Sequence, residues 1–383
     1  MKKILIIIGT YSPGKNAGGP IESIKNTTNL LKEHFDFYIV TSNCDFGENE
    51  PYKDIKVDKW NVLKNEKIKY LKRSSFTFKK IKEILLENDY DLIYLQSAFC
   101  FKYTIIPLIV NKFLKQKKFF LIAPRGNLDP GALRLKGKKK SLYLKLAKIL
   151  GIYNDVIWQA TAVEEKLNIL KIFPNANIKI MSNLKKEMEI DKKKEKEVKK
   201  LKLVHISRIQ PKKNLLFFLT CLSKLEKNKL ENIWLDIYGP IEDKKYWKKC
   251  LEIIEKNKLN CSYKGYLEND NVSLKISEYN FFVLPTLGEN FGHVILESLI
   301  AKTPLLISDN TPWKDLEKKN IGYDLKLVEN KWIGCLEKIL LINEKEYGEK
   351  ITSIERFLKY EYNLEKEKNN FLNEIKKIVN LRD

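Results

Sequence analysis

At 383 residues the chain is too long for one typical core and suits two domains of about 150–200 residues. Its apolar fraction of 44% can fill two cores, and no stretch approaches the roughly 18–20 apolar residues of a membrane span. A net charge of +22 invites nucleic-acid or anionic-membrane binding, but only six of the 71 basic residues are Arg; phosphate and base-edge readers favour Arg, so nucleic acid is not expected, and a solvated lysine surface or a peripheral contact with an anionic membrane both fit.

The chain opens with Lys2-Lys3 and the apolar run Ile4–Ile8. That run is too short for a signal peptide and leads into Ser12, Pro13, Gly14 and Gly18-Gly19 without a cleavage site, so it predicts a buried strand in a cytoplasmic protein. Further strands are predicted at Phe35–Thr41, Leu92–Gln96, Phe119–Ala123, Val156–Thr161 and Ile178–Met181, with helices near 20–33, 76–88, 103–116, 138–150 and 163–172. Continuous apolar strands separated by helices indicate an α/β fold with a parallel sheet covered on both faces, which binds ligands at the carboxyl ends of its strands. Asp89-Tyr90-Asp91 has the form of a metal-holding Asp-x-Asp, but it falls between a helix and a strand and reads as a turn and cap. The stretch from Ala132 to Leu150 is basic and partly amphipathic, which suits either a helix packed on the sheet or one resting on anionic lipid.

Residues 185–200 carry no apolar periodicity and read as an interdomain linker. A second series follows, with strands at Leu201–Ile206, Ile233–Tyr238, Phe281–Leu284 and Pro304–Ile307, and an amphipathic helical stretch from about Glu346 to Val379. The six cysteines, with no CxxC spacing, are expected to be reduced and mostly buried. No cluster has metal-ligand spacing.

Two segments carry chemistry. After the strand ending at Leu284, a loop with Glu289, Asn290, Phe291 and Gly292 enters a helix that bears His293 and Glu297. Glycines admit close backbone approach, a helix N-terminus favours phosphate, and carboxylates grip sugar hydroxyls. The bland alternative makes Glu289 a helix-start acid and puts Glu297 on the solvent side. Arg208 and Lys213 follow another predicted strand and can converge on a diphosphate, stabilising charge on a leaving group.

Arg208 with Lys213, followed by Glu289 and Glu297 as E-x7-E around Asn290-Phe291-Gly292, resembles glycosyltransferase family 4, a large retaining group with the GT-B fold. Ala123–Asn127, Gly239–Trp247 and Ser308–Trp313 are similar to segments of bacterial members that build lipopolysaccharide, O-antigen or capsule. The resemblance implies two Rossmann-like domains facing across a central cleft. Residues 1–184 would form the acceptor side, 201–359 the nucleotide-sugar domain, and a helix at about 360–383 would pack back on the first. It implies retaining, front-face, metal-independent transfer of a hexose or N-acetylhexosamine from a nucleotide-diphosphate sugar, UDP-linked above all, to a surface glycan, free or lipid-linked, with no cofactor. Arg208, Lys213 and Glu289 would be catalytic. Gly18, Gly19, Gly239, Tyr266, Leu267, Asn290, Phe291, Gly292 and Glu297 would hold the donor, with Glu297 on the ribose. Where many members carry histidines this chain has Gln96 and Arg125; they and Asn127 would face the acceptor, Arg125 as an anion holder. A nucleotide-sugar 2-epimerase and an inactive partner subunit are the competing readings.

Overall fold

The computed structural model describes every residue except 17, 64–65, 135–136, 186–198, 269–270 and 382–383, and most of the linker expected at 185–200 lies outside the described residues. Two compact units are present, one formed by Met1–Lys186 and Glu365–Asp383, the other by Glu187–Leu364.

In chain order the first unit contains β1 (Lys2–Ile7), α1 (Gly19–Leu31), β2 (Phe35–Ser42), β3 (Trp60–Leu63), β4 (Glu66–Leu71), α2 (Phe78–Glu87), β5 (Leu92–Leu95), α3 (Ile106–Lys112), β6 (Phe120–Ile122), α4 (Pro130–Arg134), α5 (Gly137–Ile149), β7 (Val156–Ala160), α6 (Val163–Ile172) and β8 (Asn177–Ile180). The second contains β9 (Leu201–Ile206), α7 (Leu215–Ser223), α8 (Lys227–Leu230), β10 (Ile233–Tyr238), α9 (Lys244–Lys256), β11 (Cys261–Tyr263), α10 (Val272–Ile276), β12 (Phe281–Leu284), α11 (His293–Ile300), β13 (Leu305–Ser308), β14 (Gly322–Leu325), α12 (Glu329–Leu341) and α13 (Glu344–Arg356). A last helix, α14 (Leu364–Asn380), returns to the first unit from Glu365 onward.

The first sheet has the order β3-β4-β2-β1-β5-β6-β7-β8, parallel throughout except for the antiparallel β3–β4 pair. The second has the order β11-β10-β9-β12-β13-β14, and every pairing in it is parallel. Numbered from its own first strand, that is the 3-2-1-4-5-6 arrangement of a dinucleotide-binding Rossmann sheet. The same arrangement lies inside the first sheet as β4-β2-β1-β5-β6-β7. In each unit the order reverses beside the first strand, between β1 and β5 and between β9 and β12, the place where sheets of this kind bind ligands at their carboxyl ends.

The apolar runs explain why both sheets are covered on two faces. Along β1, Leu5 and Ile7 enter one core while Ile4, Ile6 and Ile8 enter the other. Along β12, Phe281 and Val283 face one core and Phe282 and Leu284 the opposite one. Such two-sided burial demands unbroken hydrophobic strands. Helix starts are set by local chemistry: Thr77 caps α2 through Lys80 N–H at 3.2 Å, Asp243 caps α9 through Tyr246 N–H at 2.9 Å, and Asn343 with Glu346 forms a capping box on α13.

The helical stretch expected from Glu346 to Val379 is divided. A π-turn at Phe357–Glu361 and a break before Leu364 separate α13 from α14. The β3–β4 hairpin and the short strands β11 and β14 were not foreseen.

Candidate active site

The loops that leave β9 and β12 are the two that flank the switch point of the second unit, and they carry the densest sequence motifs. After β9 the chain makes a tight turn at Pro211–Lys213, and Asn214 takes a left-handed conformation (φ 57°) that starts α7. After β12 the loop passes through Thr286–Gly292 to α11, with Gly292 at φ 77° as its N-cap. Backbone and hydroxyl bonds lock these loops together. Leu287 N–H donates to the Lys212 carbonyl at 2.8 Å, Thr286 Oγ1 reaches the same oxygen at 3.2 Å, and Gly288 N–H returns to Thr286 Oγ1 at 3.2 Å.

That locking brings Lys213 and Glu289 into an ion pair, with side chains 14% and 18% exposed. Glu289 N–H also donates to the Asn310 carbonyl at 3.0 Å, fixing the loop from its other side. The ammonium has three donors, so two remain to meet an anion. Arg208 is held differently: its guanidinium pairs with Glu242 at 3.1 Å, and both side chains are well exposed. Glu242 lies inside the Gly239–Trp247 motif, yet no role was assigned to it from sequence.

Close backbone packing shapes the rest of the site. At Gly239 (φ 126°) an added Cβ would stand 1.9 Å from the Ser207 carbonyl oxygen, so only glycine lets β10 end against β9 there. Its N–H donates to the Gly265 carbonyl at 2.8 Å, and its own carbonyl accepts from Tyr263 OH at 2.8 Å. Tyr266 beside this turn is exposed, whereas Leu267 packs onto the core. Phe291 is buried, stacked edge-on against His293 and Trp313, and its carbonyl accepts from Trp313 Nε1 at 2.6 Å. Asn290 and the first turn of α11 offer the polar backbone beside it. Glu297 is only 6% exposed, which removes the solvent-side alternative for that residue.

Beneath the site, His205 on β9 is fully buried. Its Nδ1–H donates to the Val283 carbonyl at 2.9 Å, which makes Nε2 the acceptor from Ser207 Oγ at 2.8 Å. Burial pushes this imidazole down to about 4, and the nearby Lys213 charge acts in the same direction.

The switch point of the first unit holds a cavity of about 460 Å³. Ile7, Gly9 and Thr10 line it from the end of β1, Gln96 and Ser97 from the end of β5, and Pro20 from the start of α1. Gly18 (φ 63°) caps α1, and its carbonyl accepts from Ile21 N–H at 3.0 Å; Gly19 is the first residue of the helix.

Gln96 and Arg125 are together, but not as two ligand-facing groups. Arg125 donates from Nε and Nη2 to Gln96 Oε1 at 3.1 and 2.6 Å, from Nη2 to Tyr94 OH at 3.3 Å, and from Nη1 to Ser23 Oγ at 3.3 Å and to Asn183 Oδ1. These bonds use all five guanidinium protons. The expectation that Arg125 holds an anion is therefore corrected, because no donor is left for one. What its bonds do is fix the Gln96 amide: the oxygen faces Arg125, while Nε2 is buried, in a side chain 7% exposed, without a partner among the described residues. Asn127 also acts inward, its Oδ1 accepting from Ser97 Oγ at 2.7 Å and Ala98 N–H at 3.0 Å. Sequence reading passed over Arg73 and Tyr103, which line the same cavity. Arg73 follows β4, an unforeseen strand, and its rarity in a lysine-rich chain was the available signal.

Asp89 and Asp91 are engaged locally, Asp89 with Lys118 at 3.0 Å and Asp91 with Lys3 N–H at 2.7 Å. All six cysteines are free thiols, and burial pushes Cys221, Cys250, Cys261 and Cys335 up to about 12. Among the described residues, no helix is long and apolar enough to cross a membrane.

Residues 186–347 match the sequence model of the family described as glycosyl transferases group 1. No curated protein sequence is a significant match. Solved structures share the fold along the whole chain. Sucrose-phosphate synthase from Thermosynechococcus elongatus is 12% identical with a TM-score of 0.72, covering 100% of both chains. Anabaena Alr3699/HepE, determined with UDP and glucose, is 11% identical with a TM-score of 0.71 over 98% of this chain and 100% of its own. A single-site mutant of S. aureus TarM, determined with fondaparinux, alpha-GlcNAc-glycerol and UDP, is 15% identical with a TM-score of 0.69 over 99% of this chain and 100% of its own. The architecture is GT-B, with two Rossmann-like domains, and the chain is a glycosyltransferase.

Proposed function

We propose that this glycosyltransferase moves a hexose or N-acetylhexosamine, with retention, from a UDP-sugar to a growing surface glycan at the cytoplasmic face of a membrane. The observation that carries the reading is the Lys213–Glu289 pair, fixed by two interlocked loops at the carboxyl-end switch point of the matched unit.

In this mechanism the donor diphosphate displaces part of that ion pair. Lys213 and Arg208 take phosphate oxygens, Arg208 leaving Glu242 to do so, and Glu289 turns to the sugar hydroxyls. The polar backbone of Asn290–Gly292 and the first turn of α11 lie beside sugar and phosphate. Glu297 receives the ribose hydroxyls, and Gly239 with Tyr266 and Leu267 flanks the base. Gly18 and Gly19 admit a close backbone approach at the start of α1. The anomeric carbon–oxygen bond breaks, the acceptor oxygen attacks the same face, and its proton passes to the departing phosphate oxygen. No side-chain base is required, which suits a chain with Gln96 where others have histidine. On this reading Gln96 Nε2 donates to a ligand oxygen, with Arg125 and Asn127 as positioning residues. Charge on the leaving group is met by Lys213 and Arg208, so transfer needs no metal.

The test is a panel of UDP-, GDP- and other nucleotide sugars, scored for binding and slow hydrolysis in the presence and absence of EDTA. A UDP-sugar should bind and hydrolyse in both conditions. Lys213→Ala should lower kcat by about 10²–10³-fold, and Glu289→Ala should lose sugar discrimination while keeping nucleotide affinity. Absence of donor binding overturns the enzymatic reading, wild-type turnover by Glu289→Ala overturns the site, and strict dependence on a divalent ion overturns the metal-free step. Conversion of a donor to its 2-epimer would replace transfer by epimerisation.

A further inference from the structure

The outer face of α5 is apolar and bare. Leu142, Leu146, Ile149 and the following Leu150 are 61%, 50%, 81% and 61% exposed. Their spacing of four, three and one residues places them on one stripe of the helix. The adjoining side packs on the first unit through Ala147 and Tyr143. Phe113, just beyond α3, is 80% exposed, and the neighbouring Lys112 ammonium donates to the Leu150 carbonyl.

The charge on the helix itself has one sign. The helix sequence GKKKSLYLKLAKI contains five lysines and no acid. Lys138, Lys139, Lys145 and Lys148 are exposed. Two lysines also touch aromatic rings, Lys140 over Phe99 and Lys148 over Phe173, which leaves the outer lysines to set the field. Contiguous exposed apolar side chains of this kind mark an interaction surface.

We propose that α5, with Phe113, is a docking surface for an anionic lipid bilayer, lying in the plane of the headgroups. Composition chooses lipid over a protein partner. Protein interfaces are enriched in Arg, Tyr and Trp and depleted in Lys, whereas this face pairs Leu, Ile and Phe with Lys alone, a combination that suits anionic headgroups. At 13 residues the helix is about 20 Å long, too short to span and long enough to lie flat. The proposal deepens the membrane-face part of the proposed function and is independent of which sugar is moved.

Vesicle flotation tests it without any nucleotide sugar, so its failure leaves the donor reading intact. The full chain should float with phosphatidylglycerol–phosphatidylcholine vesicles at low salt, release at high salt, and ignore phosphatidylcholine alone. Leu146→Glu with Ile149→Glu should weaken partition by at least about 100-fold, roughly tenfold per lost anchor. Lys138→Glu and Lys145→Glu should each weaken it about fivefold or more. All four positions are exposed, so melting temperature and donor binding should be unchanged. No flotation with anionic vesicles at low salt overturns the proposal. So does flotation that survives the Leu146/Ile149 pair of changes, because binding would then reside elsewhere on the basic surface.

Discussion

Arg125 and His205 illustrate how a residue's chemistry depends on where its protons are already committed. Arg125 spends its full donor set on Gln96, Tyr94, Ser23 and Asn183, so a guanidinium that looks like an anion site is a clamp on a neutral amide. His205 is the converse, an imidazole kept neutral by burial at about 4. In the unfolded chain it titrates near 6.5. Between about 6.5 and 4 the unfolded state therefore holds a proton that the folded state lacks. Its contribution to stability is complete above about 6.5 and falls as the pH drops toward 4, by about 3 kcal/mol. His205→Gln should flatten that slope by about one proton, measured by urea unfolding at intervals between pH 7 and pH 4; an unchanged slope would contradict a neutral buried histidine. The burial of His205 was legible from its place in an apolar strand. The roles of Gln96 and Arg125 were not, because their positions along the chain say nothing about which way an amide is turned.

Elements meet at the two switch points because crossover connections force each sheet to grow in two directions from its first strand. This arrangement, rather than any single loop, puts Lys213 beside Glu289 although they are 76 residues apart. Gly239 is the tightest joint in it. Gly239→Ala drives a methyl group into the Ser207 carbonyl and imposes a strained backbone, a cost of about 3 kcal/mol from overpacking and strain together. Thermal denaturation should show that loss, with nucleotide affinity falling as the Ser207–Arg208 strand end is pushed aside; a variant that melts like the parent would mean the β10 end relaxes freely. Most strands were readable because two-sided burial writes long apolar runs. The β3–β4 hairpin was not, since Trp60–Leu71 alternates apolar residues with lysine, glutamate and asparagine at a sheet edge. The division between α13 and α14 was equally hidden: Phe357, Leu358, Tyr362 and Leu364 continue the helical spacing, yet they serve the second unit's core while Phe371 and Ile375 serve the first.

The molecule as a whole is one unit interrupted by another. The first unit's core beside α1 includes Phe371, Leu372, Ile375, Ile378 and Val379 of α14. At about 1.5–3 kcal/mol for each fully buried side chain, these five contribute on the order of 10 kcal/mol, comparable to the net stability of an ordinary domain. A chain ending at residue 363 should therefore have an unstable first unit and an intact second one. Limited proteolysis should leave a resistant fragment near residues 199–363 and degrade the rest; equal resistance of both halves would show that α14 is dispensable. The return of α14 also sets an order of events during synthesis. Domains usually fold from the N-terminus as they leave the ribosome, but here the first half emerges with one core open and must wait while the second is made and folded. That core closes only when α14 arrives, so a translation product that stops short of α14 leaves the first unit's core open.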